Sequence, residues 1–577
     1  MKTHITRSLF LGKAILLAVI IAQVIVCLGP FESRAWSAHL LKMGLLEEPK
    51  TLNLWLARDR WSLQVLSLMY QPLYTRDPKS LHLVPWLAAE KPVFDKASLS
   101  YTVRLRQAKW SDGSPLTSED VAFTWKLVTD FKVPRYNTYW RILKKIETPD
   151  AQTVKFFLKK PMAVFETRTL TLPIVSRKEW GNIAEKARTA EKPLDVLLRY
   201  KVQKPISSGP FVLNEWRQGA YLFISKNEHF FGTGKKIQDY ALGPYIDGII
   251  FKFFGTTDAA VMAVKKGDMD MFWWGIKSGY LPDLENEPYV QLFSSERSAL
   301  YYMGINLRKA PFNDVNLRQA MATLIDKDFI IERILQGDGI KMDSLIPPGN
   351  RIYYCPDVPR YGEGMDRKER IKRAYEILKG AGYTWEVSPV QAKGNVVRGN
   401  GIRLPDGNPM MPFTILTPPA DYDPERAMAG MIIQEWFRDL GIPASSKPMA
   451  FGALSDQVSV EHEFDTFILG YGRLSLDPDY LRTFFSSSQD KKRGGNKVGY
   501  HNPEFDKIAN ASAAAMDQEE RQKLVWDMQK ILMRDLPYIP LYNPNLIEAV
   551  RTERFTGWVP MIEGIGNIWS FCVLKPK

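Results

Sequence analysis

The chain is poor in sulfur and imidazole. Among 577 residues there are three cysteines and six histidines. Cys27 lies near the amino terminus, which leaves Cys355 and Cys572. Two cysteines so far apart make neither a disulfide framework nor a metal cluster, although one bridge between them stays open. His4, His39, His82, His229, His462 and His501 are scattered, without the spacing of metal ligands. There is no Gly-x-Ser-x-Gly elbow, no His-Glu-x-x-His pair and no adjacent cysteine and histidine. Nothing in the sequence therefore points to a catalytic centre, a metal or a cofactor, and no nucleic-acid motif occurs. Long apolar runs are also missing, except one. Ala14–Leu28 is broken only by Gln23 and ends at Gly29-Pro30.

That run follows Lys2, Arg7 and Lys13, and Ala35-Trp36-Ser37 offers small residues for cleavage before Ala38. It is shorter than the roughly 20 residues a membrane helix needs. Residues 1–37 are therefore read as a secretory signal, with an uncleaved anchor or lipidation at Cys27 as alternatives. The rest is too long for one core, so two or three lobes are expected. Net charge is +13, of which residues 1–37 carry +3. The remaining excess reads as thinly spread, its densest run being Lys491-Lys492-Arg493 before two glycines. Such a run is most simply a solvated loop. Sixteen tryptophans suit a ligand-facing surface, but cores use them more often.

Local signals alternate between strand and helix, which sets the class as α/β. Leu99, Tyr101, Val103 and Leu105 alternate with polar residues as a half-buried strand does. Trp110-Ser111-Asp112-Gly113 turns the chain, and Thr117 is placed to cap a helix over Val121–Val128 whose first turn is acidic. Asp258 is expected to cap Ala259–Lys266, and Asn313 or Asp314 the helix that follows them. Asp423-Pro424 combines a cap with a first-turn proline, and Asp517 opens Gln518–Arg534. Residues 385–411 look like a polar, glycine-rich surface insertion. Tyr538–Tyr542 reads as a strand returning to the first lobe.

Lys109-Trp110-Ser111-Asp112-Gly113, Pro115, Thr117 and Glu119-Asp120-Val121 together resemble the signature of the extracellular solute-binding proteins of family 5. Asn306, Pro311-Phe312, Asp314-Val315 and Arg318-Gln319-Ala320 are a second match, Ser208-Gly209-Pro210-Phe211 and Asn502–Asp506 further ones. The resemblance spans nearly all the chain after the leader. It implies a periplasmic binding protein type II-like fold, with two lobes closing over a cleft and an extra middle lobe. The implied boundaries are 38–75, 204–299 and 541–577 for lobe I, 76–203 for the middle lobe and 300–540 for lobe III. It also implies a periplasmic, monomeric component of an ABC importer that hands an oligopeptide or other small solute to a membrane permease. A secreted hydrolase, a chaperone or a sensor on the same fold is the alternative.

The resemblance places ligand contacts at Arg60 and Trp61, unless Trp61 is a plain core residue, at one or both of Trp273 and Trp274, and in the stretch Gly470–Asp479. Peptide-binding relatives carry Gly-Trp-x-x-Asp-x-x-Asp-Pro-Asp there, and the first Asp holds the ligand's α-ammonium group. This chain has Leu474 at that position, beside Arg473. Tyr471, Gly472, Arg473 and Asp477 are the candidates that remain. Arg473 suits a carboxylate or phosphate, which its planar fork grips in two places, unless a nearby acid holds it. Asp477 either replaces the lost anion or belongs to the start of the next helix.

Overall fold

The computed structural model describes residues 39–577, so the expected leader with Cys27 lies outside the described residues. Two large sheets organise the rest. The first has seven strands, in the order Phe211–Arg217, Tyr221–Lys226, Gly248–Phe253, Leu40–Leu45, Met271–Phe272, Leu546–Arg551 and Val290–Ser295. The second has six: Gly339–Lys341, Tyr538–Pro544, Leu300–Ile305, Thr466–Tyr471, Phe413–Thr417 and Ala444–Pro448. A four-stranded antiparallel sheet built from residues 93–158 is inserted in sequence between two strands of the first sheet, Leu40–Leu45 and Phe211–Arg217. The mixed α/β class follows directly. One hydrophobic core underlies the first and the four-stranded sheets, and a separate one underlies the second.

The chain passes between the large sheets twice. One passage runs through Glu296–Ala299, from strand Val290–Ser295 to strand Leu300–Ile305, and the other through Asn545. Tyr538–Pro544 pairs with Leu300–Ile305 in the second sheet, so the strand expected to return to the first lobe does so only after Asn545. Its short run of apolar residues marks a strand but cannot name the partner. Cys355 and Cys572 are unbridged and buried in different cores, which closes the question of a disulfide between them.

The signature around Trp110 has a structural explanation. Asp120 is buried and accepts from the Thr117 N–H at 2.9 Å, the Trp110 indole at 3.2 Å and the Arg177 N–H at 2.8 Å. Its side chain thus closes the capping box of helix Ser118–Asp130 and ties the turn to a second helix. Ser111 exchanges hydrogen bonds with Ser207, which anchors the turn to the Ser208-Gly209-Pro210 stretch. Gly209 lies so close to the Leu68 carbonyl that a Cβ would collide with backbone. Most expected caps are present, at Asp314, Asp423 and Asp517, and Asn502 caps a further helix, Pro503–Ala514. The helix expected to start after Asp258 is capped by Thr256 instead and covers Thr257–Lys265. Residues 385–411 contain part of a small hairpin, Thr384–Val387 with Asn400–Arg403.

The excess charge is not thinly spread. Residues 76–203 hold 24 Lys and Arg against 14 Asp and Glu, while the rest of 38–577 holds 49 of each. The whole surplus of +10 sits in that one segment.

Candidate functional site

The two passages between sheets lie side by side, since the Asn543 side chain donates to the Arg297 carbonyl at 2.7 Å. Elements from both sheets converge there. Helix Arg60–Met69, capped by Asp59, brings Arg60 and Trp61 to its first turn. The end of strand Met271–Phe272 brings Trp274. Trp61 and Trp274 pack at 4.8 Å between ring centroids, and the Arg60 guanidinium lies 4.5 Å over the Trp274 ring. Trp273 turns the other way, into the core against Phe251 and Phe571. The adjacent tryptophans thus divide, one inside and one at the junction.

Across the junction, Arg297 donates to the Gly472 carbonyl at 2.8 Å. The Leu474 N–H donates to the Ser298 carbonyl at 2.5 Å. Its side chain enters the second core, so no acid stands where peptide-binding relatives place one. Arg473 points outward, its side chain 71% exposed and its Nε 4.0 Å from Glu563. Glu563 also accepts from the Ser298 N–H at 2.7 Å. Glu548 lies on the buried strand Leu546–Arg551 and accepts from the Ile565 N–H at 2.6 Å. Gly564, at φ +104°, leaves room for that carboxylate, and Gly566 leaves room for Trp273.

Arg297 and Arg473 both act electrostatically on Arg60. Burial first, then these two neighbours, pull the Arg60 guanidinium down to about 10. Burial pushes Glu548 up to about 7, against the opposing pull of the Ile565 N–H and Arg60. The Nε atoms of Arg60 and Arg297 are buried and have no hydrogen-bond partner. Unpartnered buried donors on charged groups are costly; the Nε atoms of Arg370 and Arg521 share this condition, but those guanidiniums are paired with Asp326 and Asp477, whereas among the described residues neither Arg60 nor Arg297 has a carboxylate within 4.0 Å. Glu425, with Asp423 beside it, also feels Arg297 and lies at the start of helix Pro424–Asp439.

Tyr471 stacks between Tyr302 and Phe484, at 5.5 and 4.5 Å, with Lys497 over its ring. Asp477 is not available to a ligand. Its oxygens meet the Arg521 guanidinium at 2.8 and 2.9 Å, and Thr167 donates to it as well. Burial alone would raise its carboxyl, but Arg521 overrides that and holds it at about 2. Next to it, Arg168 donates to the Ser475 hydroxyl at 2.7 Å. The Gly470–Asp479 loop is therefore held from residues 165–169 on one side and by Arg297 on the other.

Sequence reasoning missed Arg297, Glu548 and Glu563. Glu548 carried a signal, since an acid inside an apolar strand is rarely buried without a role. A cavity of about 230 Å³ lined by Phe293, Phe555 and Trp558 lies elsewhere and gathers no comparable charge cluster. Among the described residues there is no group of side chains suited to a metal, and no helix long and apolar enough to cross a membrane.

Two sheets joined by paired crossings, with charged and aromatic side chains converging on the junction, define a two-lobed binding protein. Residues 82–493 match the model of the bacterial extracellular solute-binding proteins, family 5 Middle, and the chain belongs to that family. It is 28% identical to the oligopeptide-binding protein AppA of Bacillus subtilis, over 88% of this chain and 86% of that one. It is 25% identical to the probable D,D-dipeptide-binding periplasmic protein DdpA of Escherichia coli, over 95% and 97%. Among solved structures, a periplasmic oligopeptide-binding protein from Thermotoga maritima is similar with TM-score 0.74 at 22% identity, over 94% of this chain and all of that one. The function is that of the solute-binding component of an ABC importer; the hydrolase, chaperone and sensor alternatives are not favoured.

Proposed function

We propose that the solute is a peptide or peptide-like acid, held by its carboxylate at Arg60, Arg297 and Arg473 rather than by its amine. The observation that carries this reading is the gathering of Arg297 and Arg473 around Arg60, with no carboxylate paired to Arg60 or Arg297 among the described residues and a buried leucine at position 474. Trp61 and Trp274 form the apolar wall, with Gly472 and Tyr471 on the facing loop. The peptide-binding names of relatives such as AppA support the substrate class. The lobes are 38–75 with 204–295 and 546–577, the segment 76–203, and 300–544, hinged at the two crossings. Residues 1–37 direct export, the protein works outside the cytoplasmic membrane, and the closed form docks on a permease there. It binds and does not turn over its solute. Native mass spectrometry of protein purified from its own host, before and after mild denaturation, tests the reading. Released peptides or a peptide-like acid support it, whereas a released solute without an acidic group contradicts it.

A further inference from the structure

We infer that segment 76–203 carries a surface for an anionic lipid bilayer, at one end of its four-stranded sheet. The first ground is the charge distribution, with the whole +10 in this segment and none in the remainder of 38–577. The second is where the cations gather. The Leu158 N–H donates to the Leu99 carbonyl at 2.9 Å and the Lys159 N–H to the Ile142 carbonyl at 3.0 Å. These bonds bring the carboxyl end of strand Thr153–Leu158, the amino end of strand Leu143–Asp150 and the turn before Ser100 to one edge. Lys96, Arg141, Lys144, Lys145, Lys159 and Lys160 all lie on these segments, and all six are exposed.

Among the described residues only Lys145 of the six has an acid partner, Glu147 at 2.5 Å. The Lys159 ammonium donates to the Arg141 carbonyl at 2.8 Å, which gathers the edge without neutralising it. Like charges held together at a fold's edge are mutually repulsive, so a counter-charge is expected to offset them. Five of the six are lysines, flexible point charges that suit diffuse negative charge better than the fixed geometry of one carboxylate or phosphate. Phe157, between Lys145 at 4.4 Å and Lys155 at 5.1 Å, and exposed Val93 lie on the outer face of the same sheet. An anionic bilayer supplies delocalised charge over a broad area, and each lysine near it strengthens attachment about fivefold. The inference does not depend on which solute the cleft takes.

The test uses the chain without residues 1–37, since every strand and helix of the described fold lies beyond them. Binding is measured by co-sedimentation with vesicles of phosphatidylcholine alone or with 30% phosphatidylglycerol, at low and high salt (a composition of about this charge density is a common stand-in for an anionic leaflet). The wild type should bind the anionic vesicles only, and salt should release it. Replacing Lys144, Lys145, Lys159 and Lys160 by glutamine should weaken that binding at least tenfold. A control replacing Lys368, Lys372, Lys491 and Lys492 by glutamine lowers net charge equally and should retain it. Circular dichroism of both variants shows whether they fold, and the single Lys160→Gln should weaken binding in the same direction. No binding to anionic vesicles, equal binding to neutral ones, equal loss in the control, or binding only to an acidic protein would overturn the inference.

Discussion

Two groups of charged side chains touch the Gly470–Asp479 loop, and only one of them contains a buried ion pair. At its end, Asp477 and Arg521 are both buried and bonded to one another in the two-pronged geometry that guanidinium and carboxylate share. Thr167 and the Asp479 N–H complete the carboxylate's bonding. At its start, Arg297 and the nearby Arg60 each keep a buried nitrogen without a partner, and Arg473 faces solvent. The Arg521 Nε is itself buried without a partner, but its charge is matched by the carboxylate it grips, and a buried matched pair of this kind is architecture. Among the described residues Arg60 and Arg297 have no carboxylate within ion-pair distance, and unmatched cations on a junction between lobes are where an anionic ligand gains most. The same few residues of sequence thus contain a lock and a site, and the pattern of matched charges separates them.

The largest effect should come from breaking the lock. Arg521→Met leaves the Asp477 carboxylate buried without its cation and should cost about 3–5 kcal/mol in urea denaturation. A loss under about 1 kcal/mol would mean that the loop relaxes and the comparison is wrong. The pH dependence sharpens the point. Asp477, held at about 2 against its ordinary 3.8, stabilises the fold above that ordinary value and loses its contribution as pH falls toward 2. Arg521→Met should remove that acid-side slope.

Glu548 should behave with the opposite sign. Its folded value near 7 exceeds the ordinary 4.5, so the unfolded chain releases its proton first as pH rises. Stability should therefore decline between about pH 4.5 and 7, by up to about 3 kcal/mol. Glu548→Gln should flatten that decline in thermal melts across the range, and an unchanged slope would place the titration elsewhere.

At the open cluster the effects should fall on binding and leave stability nearly unchanged. Arg60→Gln should weaken a carboxylated solute about tenfold or more, read by calorimetry, with no more than a small change in melting temperature. Arg473→Gln should do the same to a lesser degree, since exposed charges are screened. Equal losses for a solute and its amide would remove both arginines from the site.

The folding signals were legible where chemistry is local. Thr117, Asp314, Asp423, Asn502 and Asp517 sit at helix starts because a side-chain oxygen satisfies a free N–H within three residues, which a sequence displays directly. Partners distant in sequence were not legible. Asp477 meets Arg521 across 44 residues and Thr167 across 310, so the loop's own sequence could show its place before the next helix but neither of these partners. For the same reason Tyr538–Pro544 was recognised as a strand but given to the wrong sheet. The departure at Leu474 was legible, yet the arginines around it became a cluster only when two crossings brought residues 60, 297 and 473 together.

The most direct test compares one peptide mixture in three forms, by calorimetric titration into the wild-type protein: free at both ends, acetylated at the amine, and amidated at the carboxylate. The account predicts that the free and acetylated forms bind alike and that the amidated form binds at least about tenfold more weakly, the scale of one lost charged hydrogen-bonded contact. Loss on acetylation with indifference to amidation would contradict it, and so would failure of all three forms to bind.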